Sequence, residues 1–177
     1  MAQLNNSFFE FFIEFDSVKQ EEREVSFLPD AFDWRDHNAV TDVKDQGNCG
    51  SCWDFAAVEN VESVWAVKTG VLTSLSTQQI LDCEQNPIAC ICVHNLALNA
   101  LPLHHYQSGI IKLSHKDCNP KIHSHSVIIV GFGTENEIPF WIVKNSWGRN
   151  WGEDGYFRIY RGDNTCGIAN EALSAVL

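Results

Sequence analysis

Gln46-Gly47-Asn48-Cys49-Gly50-Ser51-Cys52-Trp53 is the stretch on which the reading of this chain turns. Immediately after it, Phe55, Val58, Val61 and Trp65 recur every three or four residues, the spacing of one helical face, and Gly70 offers a stop. Cys52 therefore stands at the head of a helix. Unpaired backbone N–H groups and the positive end of the macrodipole favour negative charge there. A thiolate is the nucleophilic form of cysteine, so this is where a reactive sulfur is best supported. Gly47 and Gly50 leave the preceding loop without side chains that would block close approach. Gln46 can offer its amide to a negative oxygen formed during attack on a carbonyl. A cysteine met in isolation is more often a buried apolar residue. The spacing Cys49-Gly50-Ser51-Cys52-Trp53 sets this one apart.

Working outward, a second short helix is expected over Ser76–Cys83, with Ser76 as its cap and Gln79 three residues on. The rest reads as strands: Ile88–Val93, Ser126–Phe132, a polar turn over Thr134–Glu137, Phe140–Lys144, and Gly155–Tyr160 with its alternating pattern. A helical front and a β-rich back make an α+β arrangement, with no internal repeat. Residues 1–28 form an acidic, Phe-rich leader set apart from the core, an N-terminal extension or pro-segment remnant. Residues 29–177 form the domain, with a shortened helical lobe over 29–85 and a β-rich lobe over 86–177. The apolar run from Phe8 to Phe15 is interrupted by Glu10 and Glu14, so no signal peptide is read there.

Composition narrows the partners. The chain has 177 residues, 45% of them hydrophobic, with 11 Phe and 6 Trp, enough for a packed core. A formal charge of −11 argues against nucleic acid, which needs basic patches. The longest apolar run is far short of a bilayer span, so no membrane partner is expected. Seven cysteines point to an oxidising compartment, and an odd number leaves one thiol to be reserved for chemistry.

With these residues in view, the chain resembles the papain-like, cathepsin-type cysteine proteases. The pattern C-G-[SA]-C-[WY] is the local signature of their nucleophile. Leu28-Pro29 and Phe32-Asp33-Trp34-Arg35 are similar to the start of a mature member, and Val40 through Gln46 lead into the nucleophile as members do. Leu75 through Cys83 resembles the family's next helix. His125 opens Ser126-Val127-Ile128-Ile129-Val130-Gly131-Phe132-Gly133 as the family's histidine opens its strand, and Lys144-Asn145-Ser146-Trp147-Gly148 matches its asparagine motif.

The resemblance implies a papain-like fold, a helical lobe against a β-barrel-like lobe with the active-site cleft between them. It implies Cys52 as nucleophile, His125 as general base and acid, Asn145 as the group orienting the imidazole, and Gln46 in the oxyanion hole. It assigns Gly50, Ser126, Trp147 and Glu171 to substrate binding, Trp147 also shielding the His–Asn bond. Ser126 and Glu171 would line the pocket for the side chain two before the scissile bond, and an acid at Glu171 implies tolerance of basic side chains. It pairs Cys118 with Cys166 as a disulfide. No cofactor is implied. The implied partners are protein or peptide substrates and cystatin-like inhibitors, the implied state a monomer, and the implied setting lysosomal or extracellular.

Three departures stand out. His125 and Asn145 follow Cys52 by 73 and 93 residues, against the roughly 130–150 of the signature. The shortfall falls after Cys83, and takes with it the usual disulfide partners of Cys49 and Cys83. Whether those two pair with each other is left open by sequence. The leader is too short for the family's long inhibitory pro-segment. The third departure is Asp54, where members carry a small or apolar residue. It either satisfies the helix dipole or opposes a thiolate at Cys52. Two other functions compete: a pseudoprotease that only binds peptides or inhibitors, and a zinc site from His115, Cys118, His123 and His125. If Asp54 opposes the thiolate, Asp54→Ala turns over a peptide substrate faster than the parent chain, and equal rates in a side-by-side assay refute it.

Overall fold

The computed structural model describes residues 29–83, 97–170, 172, 174 and 175. The leader over 1–28, the strand expected over Ile88–Val93 with Cys90 and Cys92, and Glu171 lie outside the described residues. Two helices, α1 (Cys52–Thr69) and α2 (Thr77–Cys83), precede most of the strands. The strands are β1 (Phe32–Asp33), β2 (Ala97–Leu98), β3 (Ile110–Ile111), β4 (His125–Ser126), β5 (Ile128–Glu135), β6 (Ile138–Lys144) and β7 (Tyr156–Tyr160). A five-stranded mixed sheet runs in the order β1-β5-β6-β7-β3, and β2 pairs with β4 in a separate two-stranded sheet. The α+β expectation holds. The residues around Phe32, assigned by sequence to the helical lobe, instead add β1 to the sheet's edge, antiparallel to β5.

The helix boundaries follow from local chemistry. Gly70 ends α1 in the left-handed conformation, φ 75°, its N–H donating to the Ala66 carbonyl at 2.8 Å. The Gln79 N–H donates to Ser76 Oγ at 3.2 Å, the expected cap of α2.

The strand expected over Ser126–Phe132 is two strands. His125 and Ser126 pair with Leu98 and Ala97, while Ile128 onward pairs with β6, so Val127 changes sheets. The β5–β6 turn is tighter than the polar stretch suggested. Only Asn136 and Glu137 form it, with φ 50° and 66°, and β5 runs on to Glu135. Such paired positive φ values match the twist of the flanking strands. In β7, Phe157 and Ile159 point into the core beside Val143 of β6 and Leu98 of β2.

The inward face of α1 is not the apolar stripe that its spacing predicts. Trp65 is 44% exposed, whereas Asp54, Glu59 and Glu62 are buried with Phe55, Ala56 and Val58. Two of these carboxylates are paired. Lys144, 1% exposed at the end of β6, lies 2.9 Å from Glu59 Oε1. It also donates to Thr41 Oγ1 at 3.2 Å, and Thr41 Oγ1 donates to Glu62 Oε2 at 2.5 Å. Glu62 Oε1 takes the Lys44 ammonium at 2.5 Å and the Leu75 N–H at 2.6 Å. Burial pushes Glu59 up and Lys144 down, each offset by the other's charge.

Asp54 differs. It is 0% exposed, and neither carboxylate oxygen has a hydrogen-bond partner among the described residues. It therefore does not cap the first turn of α1. Burial pushes it up to about 7, with Lys44 pulling weakly the other way. Asp54 thus holds its proton through mildly acidic pH, and the charge that would oppose a thiolate appears only near and above pH 7.

Two outcomes follow from these buried charges. Lys144→Met, which strands Glu59, costs about 3–5 kcal/mol in denaturant unfolding; Lys144→Met combined with Glu59→Leu recovers most of it. For Asp54 the folded state holds a proton that the unfolded chain releases above pH 3.8. Stability therefore falls as pH rises from about 4 to about 7, and this fall is shallower in Asp54→Asn, read by thermal unfolding across that range.

Candidate active site

Two loops that are far apart in sequence are zipped together here. Asp45 and Trp147 form an isolated antiparallel bridge. The Gln46 N–H donates to the Ser146 carbonyl at 2.9 Å, and the Gly148 N–H to the Lys44 carbonyl at 3.0 Å. Gly148 has φ 75°, the left-handed conformation that favours glycine, and a Cβ there would lie 3.0 Å from Asp45 Oδ2. The Gln46 carboxamide is held at both ends. Its Oε1 accepts from Ser146 Oγ at 2.5 Å, and its Nε2 donates to the Cys49 carbonyl at 2.7 Å. That leaves the second Nε2 hydrogen to serve another acceptor.

Cys52 is the first residue of α1 and is 0% exposed. Ser51, before it, makes no side-chain cap bond. His125 is the first residue of β4, and α1 packs against β4. Pairing with Leu98 fixes the His125 backbone.

The ring is fixed by Asn145. His125 Nε2 lies 2.7 Å from Asn145 Oδ1, which also accepts the Ser146 N–H at 2.9 Å. Two donors on one oxygen set the orientation of the amide. An amide oxygen only accepts, so Nε2 carries hydrogen, and in the neutral ring Nδ1 is left as the basic atom. Asn145 is itself buried, and its Nδ2 has no partner among the described residues.

His125 is 4% exposed, and burial pushes it down to about 4. The bond to Asn145 works against that fall, and the charge of His104 works with it. The Trp147 ring lies 4.7 Å from the His125 ring, covering it, and packs edge-on against Trp151 at 5.2 Å.

The other expected residues separate. Gly50 is half-buried in the bend before α1. Ser126 is buried on β4, paired with Ala97. Cys118 and Cys166 form a disulfide, Cα–Cα 5.0 Å, as expected. Cys83 is an exposed free thiol and is therefore not bonded to Cys49. The zinc set is not assembled. The sulfur of Cys118 is in the disulfide, His115 Nε2 bonds the Asp163 carbonyl at 2.7 Å, and His125 bonds Asn145. Sequence reasoning missed Ser146, Thr41 and Lys144 as positioning groups, and it missed His104. Ser146 stood inside the asparagine motif, but its contact with Gln46 spans 100 residues and has no local signal.

Comparison with known proteins identifies the family. The family described as papain family cysteine protease matches residues 28–101 and 91–176. Cathepsin F of Drosophila melanogaster is 34% identical over 220 residues, covering 85% of this chain and 36% of that protein. A viral cathepsin of Spodoptera litura multicapsid nucleopolyhedrovirus is 35% identical, covering 84% and 62%. This chain thus spans between about a third and two thirds of the length of such relatives. Among solved structures, digestive procathepsin L2 from Tenebrio molitor larval midgut superposes with a TM-score of 0.75 at 28% identity, covering 86% of this chain and 70% of that one. Bromelain from Ananas comosus, in complex with the E64 inhibitor, gives 0.72 at 29% identity, covering 84% and 100%. The signature around Cys52, the order of Cys52, His125 and Asn145, and these matches lead to one conclusion: the chain belongs to the papain family of cysteine proteases.

Proposed function

We propose that this chain is a cysteine-type endopeptidase that hydrolyses peptide bonds through a Cys52–His125 pair oriented by Asn145. The observation that carries the reading is the 2.7 Å bond from His125 Nε2 to Asn145 Oδ1, buried where α1 meets β4. It leaves Nδ1 as the basic nitrogen. In this reading the Cys52 thiol gives its proton to Nδ1, and the thiolate attacks the substrate carbonyl carbon. The resulting oxyanion is met by the head of α1 and the remaining Gln46 amide hydrogen. The imidazolium then protonates the departing amine, leaving an acyl-enzyme. Water, deprotonated by His125, releases the acid and restores the thiol.

Trp147 keeps solvent from the His–Asn bond. Ser126 and Glu171 remain proposed contributors to the pocket for the side chain two before the scissile bond. Cystatin-like inhibitors are proposed partners. A lysosomal or extracellular setting suits the Cys118–Cys166 disulfide and an Asp54 that is neutral in acid.

One observation favours the second reading, a pseudoprotease that binds peptides without cutting them. Burial holds His125 well below its ordinary value, which opposes a resting thiolate–imidazolium pair. An epoxide directed at cysteine proteases separates the two. The peptidase labels at Cys52 and cleaves peptides; Cys52→Ala abolishes labelling, and His125→Ala loses about 10²–10⁴-fold in kcat/KM. Cystatin binding with neither labelling nor cleavage would establish the pseudoprotease instead.

A further inference from the structure

The indole of Trp147 carries two imidazoles. His125 packs on it at 4.7 Å and 32°, and His104 stacks on it at 5.5 Å and 18°. His104 belongs to the 3-10 turn Leu101–His105, which is pinned to the same loop by the bond from Trp151 Nε1 to the Leu103 carbonyl at 3.2 Å. Leu103 is fully buried, so the turn has a fixed seat in the core, while His104 itself faces solvent. Of the two rings on this indole, His104 is exposed and His125 is buried.

We propose that His104 is a positioning residue for His125: its charge, held on the same indole, sets the pH window in which His125 takes up a proton. This rests on reading His125 as the general base. Imidazole is the side chain whose ordinary proton exchange falls between pH 5 and 8. A positive charge at His104 repels an imidazolium at His125, in the same direction as burial.

The other titratable groups on the surrounding elements include Cys52, Asp54, Glu59 and Glu62 on α1, Lys144 beside Asn145, His105 on the turn, and Asp45 and Arg149 flanking Trp147. Lys144 is ion-paired with Glu59 at 2.9 Å. The Asp45 carboxylate accepts the Gly47 N–H at 2.8 Å. Arg149 is 3.8 Å from Asp42 at the surface. Among the described residues, His104 is the one stacked on the same indole as His125.

The test follows the His125 ring proton by NMR through an acid titration of the full chain, in the parent and in His104→Gln, His104→Phe and His104→Lys. Removing the charge in His104→Gln or His104→Phe raises the His125 midpoint by about half a unit. His104→Lys, which keeps the charge, leaves it at or below the parent value. His104→Phe retains the stack, so a purely structural role leaves that variant like the parent and overturns the proposal, as do equal midpoints throughout or a His104→Lys that follows His104→Gln. The readout does not depend on turnover. A His125 that shifts as expected in a chain that cleaves no peptide sinks the peptidase reading and leaves this one standing.

Discussion

The Lys144 ammonium is the point on which the two halves of the molecule depend. It is a full positive charge at 1% exposure, and such a charge is tolerated only where partners replace water. Those partners come from elsewhere in the chain: Glu59 from α1 and Thr41 from the segment before the nucleophile loop, with Glu62 reached through Thr41. The ion pair therefore locks the end of β6 against the middle of α1. Asn145 is the next residue after Lys144, and Cys52 is two turns of helix from Glu59. Fixing the charge fixes the separation of the two elements that carry the candidate site.

That arrangement explains why α1 is polar where a core helix is usually apolar. Its inward face meets the sheet through Ala56, which packs with Ile128 and Val130, and buries Phe55 and Val58 together with Glu59 and Glu62, which answer Lys144 and Lys44. Trp65 and Val67 of α1, and Val71 and Leu75 in the segment after it, are exposed. The relatives' alignments run longer than this chain, so they carry further residues that this chain lacks.

Much of the site was legible because its information is local. The Cys52 signature, the Gly70 stop, the Ser76 cap and the order of Cys52, His125 and Asn145 each sit within a few residues or in a simple sequence order. The Cys118–Cys166 bond was legible only through family resemblance. What escaped depends on distant pairs. Nothing near Glu59 announces Lys144. Periodicity put Trp65 inside because it counts apolar residues without knowing what covers them. The strand holding His125 looked continuous because β-branched residues run through Val127, and its split is decided by β2, a partner two residues long. Strands of that length, β1, β2 and β3, are below what alternation can reveal. His104 carried no sequence signal at all, being one of seven histidines.

The zipper between the nucleophile loop and the asparagine loop has a kinetic side. Gln46 bonds Ser146 across 100 residues, and Lys144 bonds Thr41 across 103. Contacts of such span form only after a large loop has closed, and closure costs entropy before any bond offsets it. The helices can form from their own neighbourhoods, but the site has no local route to assembly. A chain still emerging or half-collapsed therefore presents Cys52 without its base. Any reactivity of the sulfur is withheld until the last third of the sequence has docked.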